Sequence, residues 1–270
     1  MRIGSRFVAL LSTVALGCAV ANASEKYLPG IQQLIDKNRL VVAIGPEDAP
    51  PMITTDKNGN LRGYDIELAR DIAAKLGVQV EFSRTAGTHE LLRAVAEGKA
   101  DIGISNLGLS IDTARIVSFT KPYLTQSFTM LINRVKGTQF SKLCPTRSEL
   151  RELVKKPGQI GVMKGTTAAE AVWRVAPEAS PKQFGSLASM MAAVQAGELV
   201  ASLQAEAIAK YFLRQNPAAS LRLKLCLIGQ RQIQLAIAVR PDAPHLVRWL
   251  NVYLDTRLRI PTVDQLVYEQ

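Results

Sequence analysis

The sequence predicts an α/β protein with two lobes around a cleft. Three observations carry this expectation. Short β-branched runs alternate with amphipathic helical stretches, the pattern of a mainly parallel sheet covered by helices. The alternation runs from about residue 40 to 104 and starts again near residue 159. No long linker parts the two runs, so the units are expected to share an interface. A chain of 270 residues is long enough to give each unit a core of its own.

Each element follows from its residues. Leu40 to Ile44 (LVVAI) is a compact apolar run suited to a buried parallel strand. A proline-rich loop follows, with Pro46, Pro50 and Pro51, and then NGNLRG, which reads as a turn or hairpin. Tyr64 to Leu76 is predicted helical: Ile66, Ala69, Ile72, Ala73 and Leu76 share one face, Asp65 lies near the cap and Gly77 stops it. Val78 to Phe82 is a strand, His89 to Glu97 a helix and Ala100 to Ile104 a third strand.

The second unit repeats the scheme. Strands are expected at 159–162, 183–184 and 200–203, with helices at 167–175, 186–196 and 206–214. Further strands at 221–227 and 233–239 and helices at about 243–257 and 262–268 complete the chain. In such sheets the loops at the carboxyl ends of the strands bind ligands. Here those loops are 45–52, 84–89, 105–113, 163–167 and 204–206.

The first residues have another character. Arg2 and Arg6 precede the apolar stretch Phe7 to Val20, which ends in Ala21-Asn22-Ala23. This is the pattern of a secretory signal peptide, residues 1–23, cut after Ala23. A membrane anchor, or a lipoprotein modified at Cys18, are the alternatives. An exported chain keeps Cys144 and Cys226. In an oxidising compartment they are expected to pair, the alternative being two buried thiols.

Net charge is +10, and +8 without Arg2 and Arg6. The basic residues are scattered, with no aromatic-interleaved patch, so nucleic acid is not expected as a partner. His89 and His245 lack metal-ligand spacing, and neither a Cys-x-x-Cys, a Gly-x-Ser-x-Gly nor a P-loop occurs. No metal, no cofactor and no catalytic set is expected.

Several segments in unbroken order, over roughly residues 38–258, resemble one family. They include DKNGNLRGYDIELARDIAAKLG, LLRAVAEGKADIGISNLGLSIDTARIVSFTKPYL, IGVMKGTTAAEAV, MMAAVQAGELVASLQAEAIAKYFL and QLAIAVRPDAPHLVRWLN. The chain is similar to the extracellular solute-binding proteins of family 3, the polar amino acid receptors of ABC importers. The resemblance implies a type II periplasmic-binding fold whose chain crosses between lobes near 126–134 and 230–234. Lobe 1 would be residues 25–129 plus 233–270, and lobe 2 residues 130–232. It also implies a periplasmic monomer that closes on a small-molecule ligand and then meets a membrane permease.

In that family an Arg holds the ligand carboxylate and a lobe-2 Asp the ammonium. A gapless alignment on Asp101 and Phe119 puts the Arg position on Thr113, two residues before Arg115, and the Asp position on Ala205, between Gln204 and Glu206. Arg115 reads either as a solvated helix residue or as one that reaches the cleft in a shifted register. Glu206 supplies either a displaced carboxylate or a first-turn charge. The usual aromatic positions fall on Ala49 and Thr88.

What remains is neutral hydrogen-bonding chemistry. Ser105, Asn106, Gly108 and Ser110 lie in one cleft loop, and Thr166 and Thr167 stand where a helix start offers N–H groups to an anion. For Ser110 and Thr167 plain N-capping is the alternative. Asp48 is a candidate for a cationic or hydroxylated group. The expected ligand is therefore a small polar or anionic metabolite, amino-acid-like but not gripped in the usual way. The alternatives are an exported dehydratase of the cyclohexadienyl type, using Glu206 or Glu47 with His89, and a sensory binding protein.

Overall fold

A computed structural model describes residues 27–256 and 259–268. The expected signal peptide lies outside the described residues.

The chain enters through helix α1 (Ile31–Lys37) into strand β1 (Arg39–Ile44). The segment NGNLRG turns between β2 (Thr54–Thr55) and β3 (Leu61–Arg62), an antiparallel pair. Helix α2 (Tyr64–Leu76), β4 (Gln79–Arg84), α3 (Thr88–Ala96), β5 (Ile102–Gly103) and β6 (Ser118–Phe119) follow. The long strand β7 (Leu124–Asn133) leads to α4 (Arg147–Lys155), β8 (Ile160–Met163), α5 (Thr167–Val175) and β9 (Lys182–Phe184). Then come α6 (Leu187–Ala196), β10 (Ala201–Ala205), α7 (Glu206–Gln215), α8 (Ala219–Arg222), β11 (Leu223–Leu235), β12 (Ala238–Val239), α9 (Pro244–Thr256) and α10 (Val263–Tyr268).

Two five-stranded sheets form the two lobes. The first has the order β4-β1-β5-β12-β6, the second β11-β7-β10-β8-β9. Their centres are parallel: β1 with β4 and β5 in the first, β8 with β9 and β10 in the second. Leu40, Val42, Ala43 and Ile44 of β1 are buried, as a strand covered on both faces requires. Helix α2 buries Ile66, Ala69, Ile72, Ala73 and Leu76 against this sheet. In the second lobe Val162 and Val172 pack on one sheet face, and Met190, Val194 and Ala209 on the other.

Two expectations change. The strands expected at 221–227 and 233–239 are instead one long strand, β11, and the short β12. β11 pairs antiparallel with β7 along most of its length, with a register irregularity between Ile228 and Ile233. A ten-residue partner supports pairing across the gap that the sequence showed as a break. β12 then turns into the first sheet, between β5 and β6.

Helix α4 was not anticipated, although its signal is local. Thr146 and Glu149 form a capping box, each side chain bonded to the other's backbone N–H. The N–H groups of Thr146 and Ser141 and the Thr146 hydroxyl hold the Glu149 carboxyl down at about 2. Cys144, in the loop before α4, is disulfide-bonded to Cys226 on β11, with the Cα atoms 5.7 Å apart.

Candidate functional site

A cavity of about 100 Å³ lies between the lobes, at the carboxyl ends of the parallel strands. From the first lobe it takes the segment after β1 (Gly45 to Ala49), Met52 and Ile53, Thr88 and Leu91 of α3, and Ser105 and Asn106 after β5. From the second it takes Met163 to Ala168, Leu187, Leu203 to Ala205 and Ile208. Gln126 and Phe128 of β7, with Ile233 and Leu235 of β11, complete the wall.

The lobes touch across this space. Thr88 donates both its N–H (3.1 Å) and its hydroxyl (2.9 Å) to the Gly165 carbonyl. Gly165 has φ +70°, and a Cβ there would meet Gly87 Cα at 3.4 Å. The left-handed backbone is what calls for glycine here, since a Cβ would be at ordinary contact distance. The cleft is closed.

The first-lobe rim is built by backbone and side chain together. The Ser105 hydroxyl accepts the Gly45 N–H at 2.9 Å and so joins the ends of β5 and β1. Asn106 has a left-handed backbone, φ 52°, which asparagine tolerates. Its N–H donates to Asp65 Oδ2 at 2.8 Å. Its side-chain oxygen accepts from Gln126 Nε2 at 2.6 Å, and Gln126 Oε1 accepts the Ala207 N–H of α7 at 3.1 Å. A run of hydrogen bonds therefore passes from the first lobe, through a crossing strand, to a helix start of the second.

Asp65 anchors this run. The sequence places it near the α2 cap, but its carboxyl caps nothing in that helix; it turns inward to Asn106 and to the Tyr123 hydroxyl. Burial pushes its pKa up to about 7, against the lowering effect of those two hydrogen bonds.

Seven of the anticipated binding residues line the cavity: Asp48, Thr88, Ser105, Asn106, Thr166, Thr167 and Gln204. Their roles differ in detail. The Asp48 carboxylate accepts from Thr55 N–H and hydroxyl and from Arg84 (2.7 Å), so its oxygens are already engaged. Thr166, and not Thr167, caps α5: its hydroxyl accepts the Ala169 N–H. The Thr167 and Ala168 N–H groups, at the helix start, have no carbonyl partner within the helix.

Five others stand outside the cavity wall. Gly108 forms a bridge with Leu235, where a Cβ would strike Ile233 Cγ2 at 2.9 Å, so this glycine serves packing. Ser110 and Thr113 bond to each other and start a short 3-10 turn, Thr113–Arg115. Arg115 ends that turn and is exposed. Glu206 accepts the Ser127 N–H at 3.1 Å and pairs with Lys210 at 2.7 Å, which ties α7 to β7.

The cavity residues that sequence reasoning missed are mostly apolar: Met52, Phe128, Met163, Leu187, Ile208 and Ile233. Nothing in an apolar pattern separates a cavity wall from a core. Gln126 had a signal, a glutamine inside the strand run LTQSF. One buried side chain stands apart. Gln204 is 3% exposed, and neither its Nε2 nor its Oε1 has a hydrogen-bond partner.

Residues 40–268 match the family described as bacterial extracellular solute-binding proteins, family 3. The chain is 24% identical over 203 residues to ABC transporter arginine-binding protein 1 of Escherichia coli, which covers 75% of this chain and 78% of that protein. It is 24% identical over 207 residues to a probable histidine-binding protein of Neisseria gonorrhoeae, covering 76% and 73%. Among solved structures, the ancestral amino acid-binding protein AncCDT-1, a precursor of cyclohexadienyl dehydratase, matches with a TM-score of 0.71 and 26% identity over 88% of this chain and 97% of that one. The closed two-lobed fold and the span of the match agree: this chain belongs to the bacterial extracellular solute-binding proteins, family 3.

Proposed function

We propose that the protein captures a small polar, amino-acid-like metabolite in the periplasm and delivers it to the permease of an ABC importer. The observation that carries this reading is the closed cleft: one cavity walled by both lobes, with Thr88 bonded to Gly165 across it. A ligand enclosed there touches both lobes only in the closed form, so its extra contacts shift the population toward closure. The closed form is what a permease would distinguish. The relatives named for arginine and histidine binding support an amino-acid-like solute. We read the grip as different from the family's usual one: the gapless alignment puts alanine, at 205, where the family's ammonium-binding Asp is expected, and Arg115 stands outside the wall.

The experiment is calorimetry of the purified protein against the twenty amino acids and a set of small organic anions, with small-angle scattering to follow closure. Micromolar binding with compaction is expected for a polar compound. Micromolar binding of a standard amino acid that is lost in Arg115→Ala would overturn the altered grip. A dehydratase would need a free acid in the cavity. The Asp48 and Glu206 carboxylates are engaged, and Glu47 is exposed at the rim. Turnover of prephenate or arogenate would make the protein an enzyme instead.

A further inference from the structure

We propose that Gln204 selects the solute, and that the solute carries a neutral group with a hydrogen-bond donor and acceptor side by side, such as a carboxamide, lactam or ureido group. This rests on the solute-binding reading above and narrows it. Gln204 lines the cavity at the carboxyl end of β10, is 3% exposed, and leaves both ends of its amide without a partner. Unpaired amide groups are costly to bury, and elsewhere among the described residues the buried side-chain N and O atoms have partners. A site built in this way is satisfied by its ligand.

The amide defines what satisfies it. It offers one acceptor and one N–H edge. An ammonium would pair Oε1 and leave Nε2 bare; a carboxylate would do the reverse. A planar amide or ureido group pairs both. Among the described residues, no charge that lines the cavity is both free and buried: Glu47 and Lys164 are exposed, and the Asp48 carboxylate is held by Thr55 and Arg84. Residue 205 is alanine, the Glu206 carboxylate is held by Ser127 and Lys210, and the remaining second-lobe wall includes Met163, Leu187, Leu203 and Ile208. The cation Lys164 and the acid Glu47 line the cavity but are exposed, so an ionised end of the solute belongs at the rim.

Calorimetry tests this with glutamine, asparagine, citrulline and pyroglutamate against arginine, histidine, glutamate and leucine. At least one amide or ureido compound should bind at least tenfold tighter than the charged and aliphatic set. Gln204→Met, close in volume, should weaken that compound by about 10- to 100-fold and leave the aliphatic compound unchanged. Ligand-free Gln204→Met should melt a few degrees higher, because two unpaired buried groups are gone. A preference for arginine or glutamate that survives Gln204→Met overturns the selection and leaves the solute-binding reading standing. A lower melting temperature in Gln204→Met also overturns it, since the amide would then be in structural use. If none of these compounds, and no other solute, produces compaction in scattering, the solute-binding reading falls and this inference with it.

Discussion

Tyr123 donates its hydroxyl to Asp65 Oδ1 at 2.9 Å, with both side chains sealed inside the first lobe. The same carboxyl receives the Asn106 N–H and so fixes the loop that lines the cavity. A buried acid held by a tyrosine hydroxyl and a backbone N–H, and in no salt bridge among the described residues, is thus part of the frame of the binding site. Burial also pushes the Tyr123 hydroxyl well above the ordinary tyrosine range.

This acid makes stability depend on pH. Asp65 titrates at about 7 folded, against 3.8 for a free aspartate. Between those values the folded state holds more protons than the unfolded one. Its contribution is therefore fully present below about pH 4 and falls as pH rises to about 7, by a few kcal/mol in all. Asp65→Asn removes the dependence. Urea denaturation of both proteins from pH 4 to 8 should give a difference in stability that changes over this window; parallel curves would count against it.

Thr88 and Gly165 join the two lobes across the cleft, and this contact is expected to help hold them closed. Thr88→Ala deletes one of two donors to the Gly165 carbonyl, which costs about 1 kcal/mol, or roughly fivefold in solute affinity, mostly as faster release. Gly165→Val should weaken binding further, since it strains φ +70° and drives a side chain at Gly87. Stopped-flow release rates check both. Unchanged release in Thr88→Ala would mean that the contact does not hold the lobes.

Arg115 is exposed at the end of its 3-10 turn. Arg115→Ala should leave solute affinity within about twofold, as a surface substitution does. A loss of several-fold, read by calorimetry, would place the guanidinium at the ligand after all.

The Cys144–Cys226 bond closes a loop across a sequence separation of 82 residues. The chain-entropy relation gives such a bridge about 4 kcal/mol, and measured bridges commonly give 2–4 kcal/mol. Reduction should lower the unfolding midpoint by a corresponding amount. Solute affinity should stay near its starting value, because neither cysteine lines the cavity. Denaturant titration and calorimetry under dithiothreitol separate the two effects.

Most of the fold could be read from local pattern. α2 and α5 have the boundaries that periodicity and stop residues indicate, and the β-branched run at Leu40–Ile44 is the core of β1. Where sequence reading failed, long-range pairing decided. β11 is continuous because β7 lies beside it, and β12 belongs to the other sheet. The site was legible as a set of loops, and only partly as side chains. Asp48 and Glu206 are acids in the right segments, but Arg84, Ser127 and Lys210 engage them from other parts of the chain. Sequence also gave no warning that the Gln204 amide is unpaired, since satisfaction is a property of neighbours.

The position of β12 has a consequence for biogenesis. The first sheet has the order β4-β1-β5-β12-β6, so β6 meets its neighbours only through a strand made after residue 235. The second sheet lies wholly within residues 124–235. In a chain that emerges amino end first, the second lobe can complete its sheet while the first waits with an open slot between β5 and β6. The half that is begun first is therefore finished last, and a nascent chain halted before Ala238 would present an assembled second lobe beside an unsealed first.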